Sequence, residues 1–159
     1  MGLPSGRAGL LKTLAVMRDV TNSRAGKMST LVRQQALALV SGLPAKDYAG
    51  EVKELHRFVR DDVRYVRDVR GVETIQTPER TLLNRQGDCD DKATLLSSML
   101  EAVGFKTRFE AIAFQPGQFS HVFPSVLWRD KWVALETTLP GKQPGWRPAR
   151  VAETVTMGV

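Results

Sequence analysis

The sequence predicts an α+β fold: N-terminal helices, then a helix that carries the lone cysteine, packed on a small antiparallel β-sheet. Three observations predict it. Apolar residues recur at helical spacing up to Gly104, the spacing then switches to a period of two, and turn signals cut the second half into hairpins. At 159 residues the chain suits one compact domain with terminal extensions. Its 42% apolar and 25% charged residues match a globular protein rather than a disordered one. No apolar run approaches the ~20 residues that a membrane helix requires.

Met1 to Gly9 holds Gly2, Pro4, Gly6 and Gly9 and is expected to be irregular. From Leu10 to Val20, Leu10, Leu11, Leu14, Met17 and Val20 mark a first helix. Ser29-Thr30 offers an N-cap for a second, whose stripe is Leu31 or Val32, Ala36, Leu39 and Val40, and which Gly42 and Pro44 end. A third runs from about Ala49 to Val63 with Val52, Leu55, Phe58 and Val59 inward, and His56 is read as a surface residue on it. Asp61 and Asp62 oppose the helix dipole at its end. Arg64 to Val69 reads as a short strand or an extended loop. Pro78 suits the first turn of a short helix through Leu83. Gln86-Gly87-Asp88 then breaks the chain before the next helix, where Asp88 and Asp91 form a capping-box-like pair. That helix puts Cys89, Ala93, Leu96, Leu100 and Val103 on one stripe and ends at Gly104.

Beyond it, Phe105, Thr107, Phe109, Ala111 and Ala113 alternate with Lys106, Arg108 and Glu110 as a strand. Pro116-Gly117 makes a turn, His121 to Trp128 reads as a second strand, Arg129-Asp130-Lys131 as a hairpin loop and Trp132 to Thr137 as a third strand. Pro140-Gly141 closes the domain. The resulting division is a basic helical arm over 1–45, a core over 46–141 and a wrapping tail over 142–159 anchored by Trp146. Trp128 and Trp132, which flank the hairpin, are read as packing residues, with the lining of a substrate groove as the alternative.

The net charge of +6 is unevenly placed. Residues 1–40 hold six basic side chains against Asp19 alone, whereas 71–105, around Cys89, carry a net −3. A basic arm suits an acidic partner. Nucleic acid is disfavoured, because no aromatic residue is interleaved with these charges before Tyr48. Lys12 interrupts the apolar stretch Leu10 to Met17 and no small-residue cleavage site follows, so a cytoplasmic location without a signal peptide is expected. A single cysteine excludes an internal disulfide and fits a reducing compartment or a thiol kept for chemistry.

A thiol at a helix N-terminus feels a partial positive charge that favours its anion, and Cys89 directly follows the N-cap Asp88. Gly87 is expected to let the chain turn sharply and a substrate approach. A nucleophile of this kind needs a base within reach and a third group that orients the base. Against this stands the commoner fate of a lone cysteine, a small buried residue on an apolar stripe. Asp88, Asp90 and Asp91 also oppose thiolate formation. These acids do not make a calcium loop: counted from Asp90, Lys92 takes the third position and Leu95 the place of the required glycine. No metal or cofactor is expected.

The run from Pro78 to Leu96 resembles the nucleophile motif of transglutaminase-like proteins, whose core is Gly-x-Cys-x-Asp-x-Ala, here Gly87-Asp88-Cys89-Asp90-Asp91-Lys92-Ala93. The second motif of that family, a strand beginning with His, a hairpin and an apolar strand ending in an acid, is similar to His121-Val122, Trp128-Arg129-Asp130-Lys131-Trp132 and Ala134-Leu135-Glu136. The resemblance spans roughly residues 50–138. It implies a papain-like cysteine-proteinase fold with Cys89 as nucleophile, His121 as base and Glu136 as the residue that orients the base. The family usually has Asp where this chain has Glu136. One oxyanion donor is assigned to the Cys89 backbone N–H, with the side chain of Gln86 as a second candidate. The implied chemistry is acyl transfer, with hydrolysis of a peptide or protein amide leading. The sequence also resembles small transglutaminase-like proteins encoded in tailed-phage tail and head gene clusters. That likeness implies the alternative of a bacteriophage virion component with little or no activity, docked to its neighbours through the basic arm and tail.

Overall fold

The computed structural model describes residues 6–67 and 75–159. Its elements follow the order α1 (Arg7–Thr21), α2 (Thr30–Val40), α3 (Tyr48–Arg57) continued by a π-type turn (Phe58–Asp62), β1 (Arg64–Tyr65), α4 (Pro78–Asn84), β2 (Gln86–Gly87), α5 (Cys89–Ala102), β3 (Thr107–Gln115), β4 (Gln118–Trp128), β5 (Lys131–Ala134) and β6 (Glu153–Gly158). The fold is α+β, with α5 lying between the other helices and a four-stranded antiparallel sheet of order β5-β4-β3-β6. β1 and β2 form a separate two-residue parallel pair.

α1 begins at Arg7, earlier than the glycines suggest. Gly9 within a helix costs roughly 1 kcal/mol against Ala. Leu10, Leu14 and Met17 of the same helix are wholly buried, each contributing about 1.5–3 kcal/mol, and that outweighs it. The remainder of the expected irregular stretch, Met1 to Ser5, lies outside the described residues, as do Asp68 and Val69 of the stretch read as a strand or loop. Ser29 caps α2 by accepting from the Val32 amide, and Asp47 caps α3 through the Gly50 amide. In α3 and the π-type turn that continues it, Val52, Leu55, Phe58 and Val59 are buried as expected; His56 is buried as well, contrary to the surface position read from the sequence. The correction has a simple geometric cause: His56 stands four residues after Val52 and three before Val59, on the same inward stripe.

α5 is buried on every side from Cys89 to Leu100, not along one stripe. One flank joins Leu95, Leu96, Met99 and Leu100 to α2, α3 and Val126. The other joins Cys89 and Ala93 to Leu10, Leu14, Met17, Phe109, Ala111 and Val122. Its Lys92 is also buried, and the ammonium donates to the carbonyls of Arg60 (3.2 Å) and Val63 (2.7 Å), which fastens the end of the π-type turn to α5.

Two of the strand boundaries that differ from expectation bear on the site. β4 begins at Gln118, before His121, and β5 ends at Ala134, so Glu136 lies in irregular chain past the sheet. The tail also contributes β6, which the sequence reading missed. Its anchors are Gly145 N to Ala134 O (2.8 Å) and a two-bonded Arg147–Glu110 fork (3.0 and 3.1 Å) rather than burial of Trp146, which is half-buried. Val151 packs on Ile112, Phe123 and Ala134 before the chain pairs along β3. No helix among the described residues is long and apolar enough to cross a membrane.

Candidate active site

The head of α5 is built by a reciprocal cap. Asp88 Oδ1 accepts from the amides of Asp90 (3.0 Å) and Asp91 (3.1 Å), and Asp91 Oδ2 accepts from the Asp88 amide (3.2 Å). The Asp91 carboxylate also takes the Gln76 amide at 2.8 Å and the Gln76 side chain at 3.3 Å. Gly87 is required here for a reason other than a sharp turn. Its φ is not positive, but a Cβ on it would stand 2.5 Å from Asp91 Cβ. The glycine therefore lets β2 lie against the cap.

Cys89 sits in the first turn of α5, 3% exposed. Burial pushes its thiol well above the ordinary value; the Asp90 and Asp88 charges add to that, while a hydrogen bond from the Val122 backbone N–H opposes it. The thiol proton is directed to Asp90 Oδ1 at 3.6 Å. The resting group is thus a neutral thiol beside Val122, the residue that follows His121.

His121 is aimed by a bulge. Ile112 pairs with His121 and Ala113 with Phe119, which leaves Ser120 as an extra residue in β4, a device that re-aims a neighbouring side chain. His121 Nε2 meets Glu136 Oε2 at 2.6 Å. Burial raises the Glu136 carboxyl, but the His121 hydrogen bond and charge and the Thr138 amide and hydroxyl, both 2.8 Å from Oε1, outweigh it and hold the group below its ordinary value. An ionised carboxylate only accepts, so His121 donates through Nε2 and its neutral tautomer leaves the lone pair on Nδ1.

The structure thus joins His121 to Glu136 directly and brings Cys89 to the backbone beside His121. Gln86, half-buried on β2, uses its carboxamide oxygen to accept from Arg64 Nη2 at 3.1 Å, which leaves its NH₂ as the available donor. Sequence reading missed Thr138, His56 and Lys92. Thr138 stands two residues after Glu136, the offset at which a hydroxyl and amide can fold back onto a preceding acid. His56 Nε2 lies 2.6 Å from the Glu136 carbonyl, and its place on the apolar stripe of α3 was the available signal. Burial, first, lowers the His56 pKa, with the Arg60 charge adding to it against the Glu136 carbonyl and acidic neighbours. Among the described residues no group of three or more His, Cys, Asp or Glu side chains is arranged to hold a metal ion.

Two solved structures share this architecture. A protease candidate from Parabacteroides distasonis superposes with a TM-score of 0.64 at 16% identity, over 85% of this chain and 27% of its own. A cysteine protease candidate from Cytophaga hutchinsonii superposes with a TM-score of 0.58 at 16% identity, over 92% of this chain and 51% of its own. The chain therefore spans about a quarter and about half of the lengths of these two proteins. At that identity the likeness concerns the fold. No curated protein matches the sequence significantly. The sequence model of the transglutaminase-like superfamily matches residues 35–137, from within α2 through Glu136, and the chain belongs to that superfamily.

Proposed function

We propose that the chain is a cysteine-dependent acyl-transfer enzyme that hydrolyses a peptide or amide bond, with Cys89, His121 and Glu136 as its catalytic triad. The observation that carries the reading is the 2.6 Å bond from His121 to a buried, ionised Glu136, beside a thiol at the head of a helix. Because the resting thiol is neutral, His121 acts as a general base at the moment of attack rather than as half of a standing ion pair. The Cys89 sulfur bonds to the carbonyl carbon as its proton passes to His121 Nδ1, and Glu136 stabilises the imidazolium. The Cys89 backbone N–H, with the Gln86 amide as second donor, receives the oxyanion. His121 then gives the proton to the leaving amine as the C–N bond breaks. Water attacks the thioester, passes a proton through His121 to the departing sulfur and releases the acid.

p-Nitrophenyl acetate, a generic acyl donor, tests this. The reading expects acetylation of Cys89 with release of nitrophenolate, abolished in Cys89→Ser and slowed about 10²–10⁴-fold in His121→Ala. An acetylation rate unchanged by His121→Ala would sink it. A second reading, a tail or head component of a bacteriophage particle that keeps the fold without turnover, is favoured by the burial and raised pKa of Cys89. That reading expects no acetylation of the native protein at all.

A further inference from the structure

The geometry points to His56 as a positioning residue for catalysis, one that clamps the main chain of Glu136 so that its side chain meets His121. The inference rests on the triad reading above and adds a fourth residue, on a different element, that touches no substrate. Glu136 lies two residues beyond the end of β5, and the last bond from this stretch to the sheet is the Leu135 amide to the Pro124 carbonyl of β4 at 2.9 Å, one residue before it. Its carboxylate is held through Oε1 by Thr138, and its carbonyl is held by His56 Nε2 at 2.6 Å across 80 residues of sequence. The two histidines thus grip one residue, His56 its carbonyl and His121 its carboxylate, both at 2.6 Å.

The chemistry of the pair fixes the protons. A carbonyl oxygen cannot donate, so His56 Nε2 carries the hydrogen, and His56 Nδ1 is left buried without a hydrogen-bond partner. A wholly buried ring with one nitrogen unsatisfied, on the inward stripe between Val52 and Val59, is a poor choice for packing alone, since an apolar side chain would fill the same stripe without that penalty. Breaking a local rule in this way is expected where a side chain serves the site rather than the core. His56 serves by setting the backbone from which Glu136 reaches. A misplacement of about 1 Å there is enough to cost on the order of 100-fold in rate.

The test uses two substitutions of similar length. His56→Gln can keep a donor near the Nε2 position, whereas His56→Met fills the space without one. Because the chain has only two histidines, long-range ¹H–¹⁵N spectra resolve both rings. Both are expected as Nε2–H tautomers in the native protein; finding His56 as the Nδ1–H form overturns the inference whatever the variants do. In His56→Met, His121 is expected to become a mixture of tautomers and acetylation by p-nitrophenyl acetate to slow on the order of 10- to 100-fold. His56→Gln is expected to restore both. A His121 tautomer and acetylation rate unchanged in His56→Met, or a His56→Gln protein as impaired as His56→Met, overturns the inference. If the native protein does not acetylate, the triad reading fails on that assay, while the two spectra still decide whether His56 holds Glu136 in place.

Discussion

At Cys89 two local fields act in opposite directions. The head of α5 offers its dipole to an anion, while burial and the charges of Asp90 and Asp88 disfavour one, and the balance lies with the thiol. Removing one opposing charge tests that balance. Asp90→Asn is expected to move the midpoint of Cys89 alkylation by iodoacetamide to lower pH, because the neutral amide no longer repels the thiolate; a midpoint that stays or rises contradicts the account. Gly87 offers a second test at this scale. With Asp91 Cβ 2.5 Å from where its own would stand, Gly87→Ala must displace either β2 or the cap, at a cost of about 1–3 kcal/mol in chemical denaturation. The candidate site was readable at this scale where chemistry shows in residue type and order: a lone cysteine after a cap, a histidine opening a hairpin and an acid closing it. It was unreadable where a polar residue hides on an apolar stripe, as His56 does, because periodicity tells which face a residue is on and not what meets it there.

Among the elements, the junction between the π-type turn and α5 depends on Lys92. Burial lowers its pKa to about 8, against the opposing pull of Glu136 and Asp61. The unfolded chain holds that proton up to about 10.4, so between about pH 8 and that value the unfolded state binds more protons and stability contributed by this group rises with pH. Lys92→Met is expected to remove that rise, read as a smaller change in melting temperature between pH 8 and 10 than in the native protein. It is also expected to cost about 1–3 kcal/mol at neutral pH by leaving two carbonyls without their donor. The helices from α2 to α5 were legible because their caps and stops are local: Ser29, Pro78, the Asp88–Asp91 box and Gly104 each act within a turn. β6 was not legible, since Glu153 to Gly158 becomes a strand only by meeting the free edge of β3, a contact between distant parts of the chain. The ends of β4 and β5 shifted for the same reason. The bulge at Ser120 and the departure of Glu136 from the sheet are set by pairing rather than by their own residues.

Across the whole molecule, the tail closes the fold by crossing from the β5 edge of the sheet to the opposite one. The Arg147–Glu110 fork and Val151 cover the side of the sheet facing away from Ala111 and Phe109, and β6 then covers the β3 edge. Ending the chain after Arg150 is therefore expected to lower the melting temperature and to promote association through the uncovered β3, read by light scattering. A truncated protein with unchanged stability that associates no more than the full chain would contradict this. The three proposed site residues come from separate parts of the fold, His121 from β4, Glu136 from the chain just past β5 and Cys89 from the head of α5. The central claim is that these residues act as one unit. Acetylation rates of His121→Ala, Glu136→Gln and the double variant test it most directly. The account predicts that the double variant is no slower than His121→Ala alone, since Glu136 acts only through His121. A double variant whose rate falls by the product of the two single losses would contradict it.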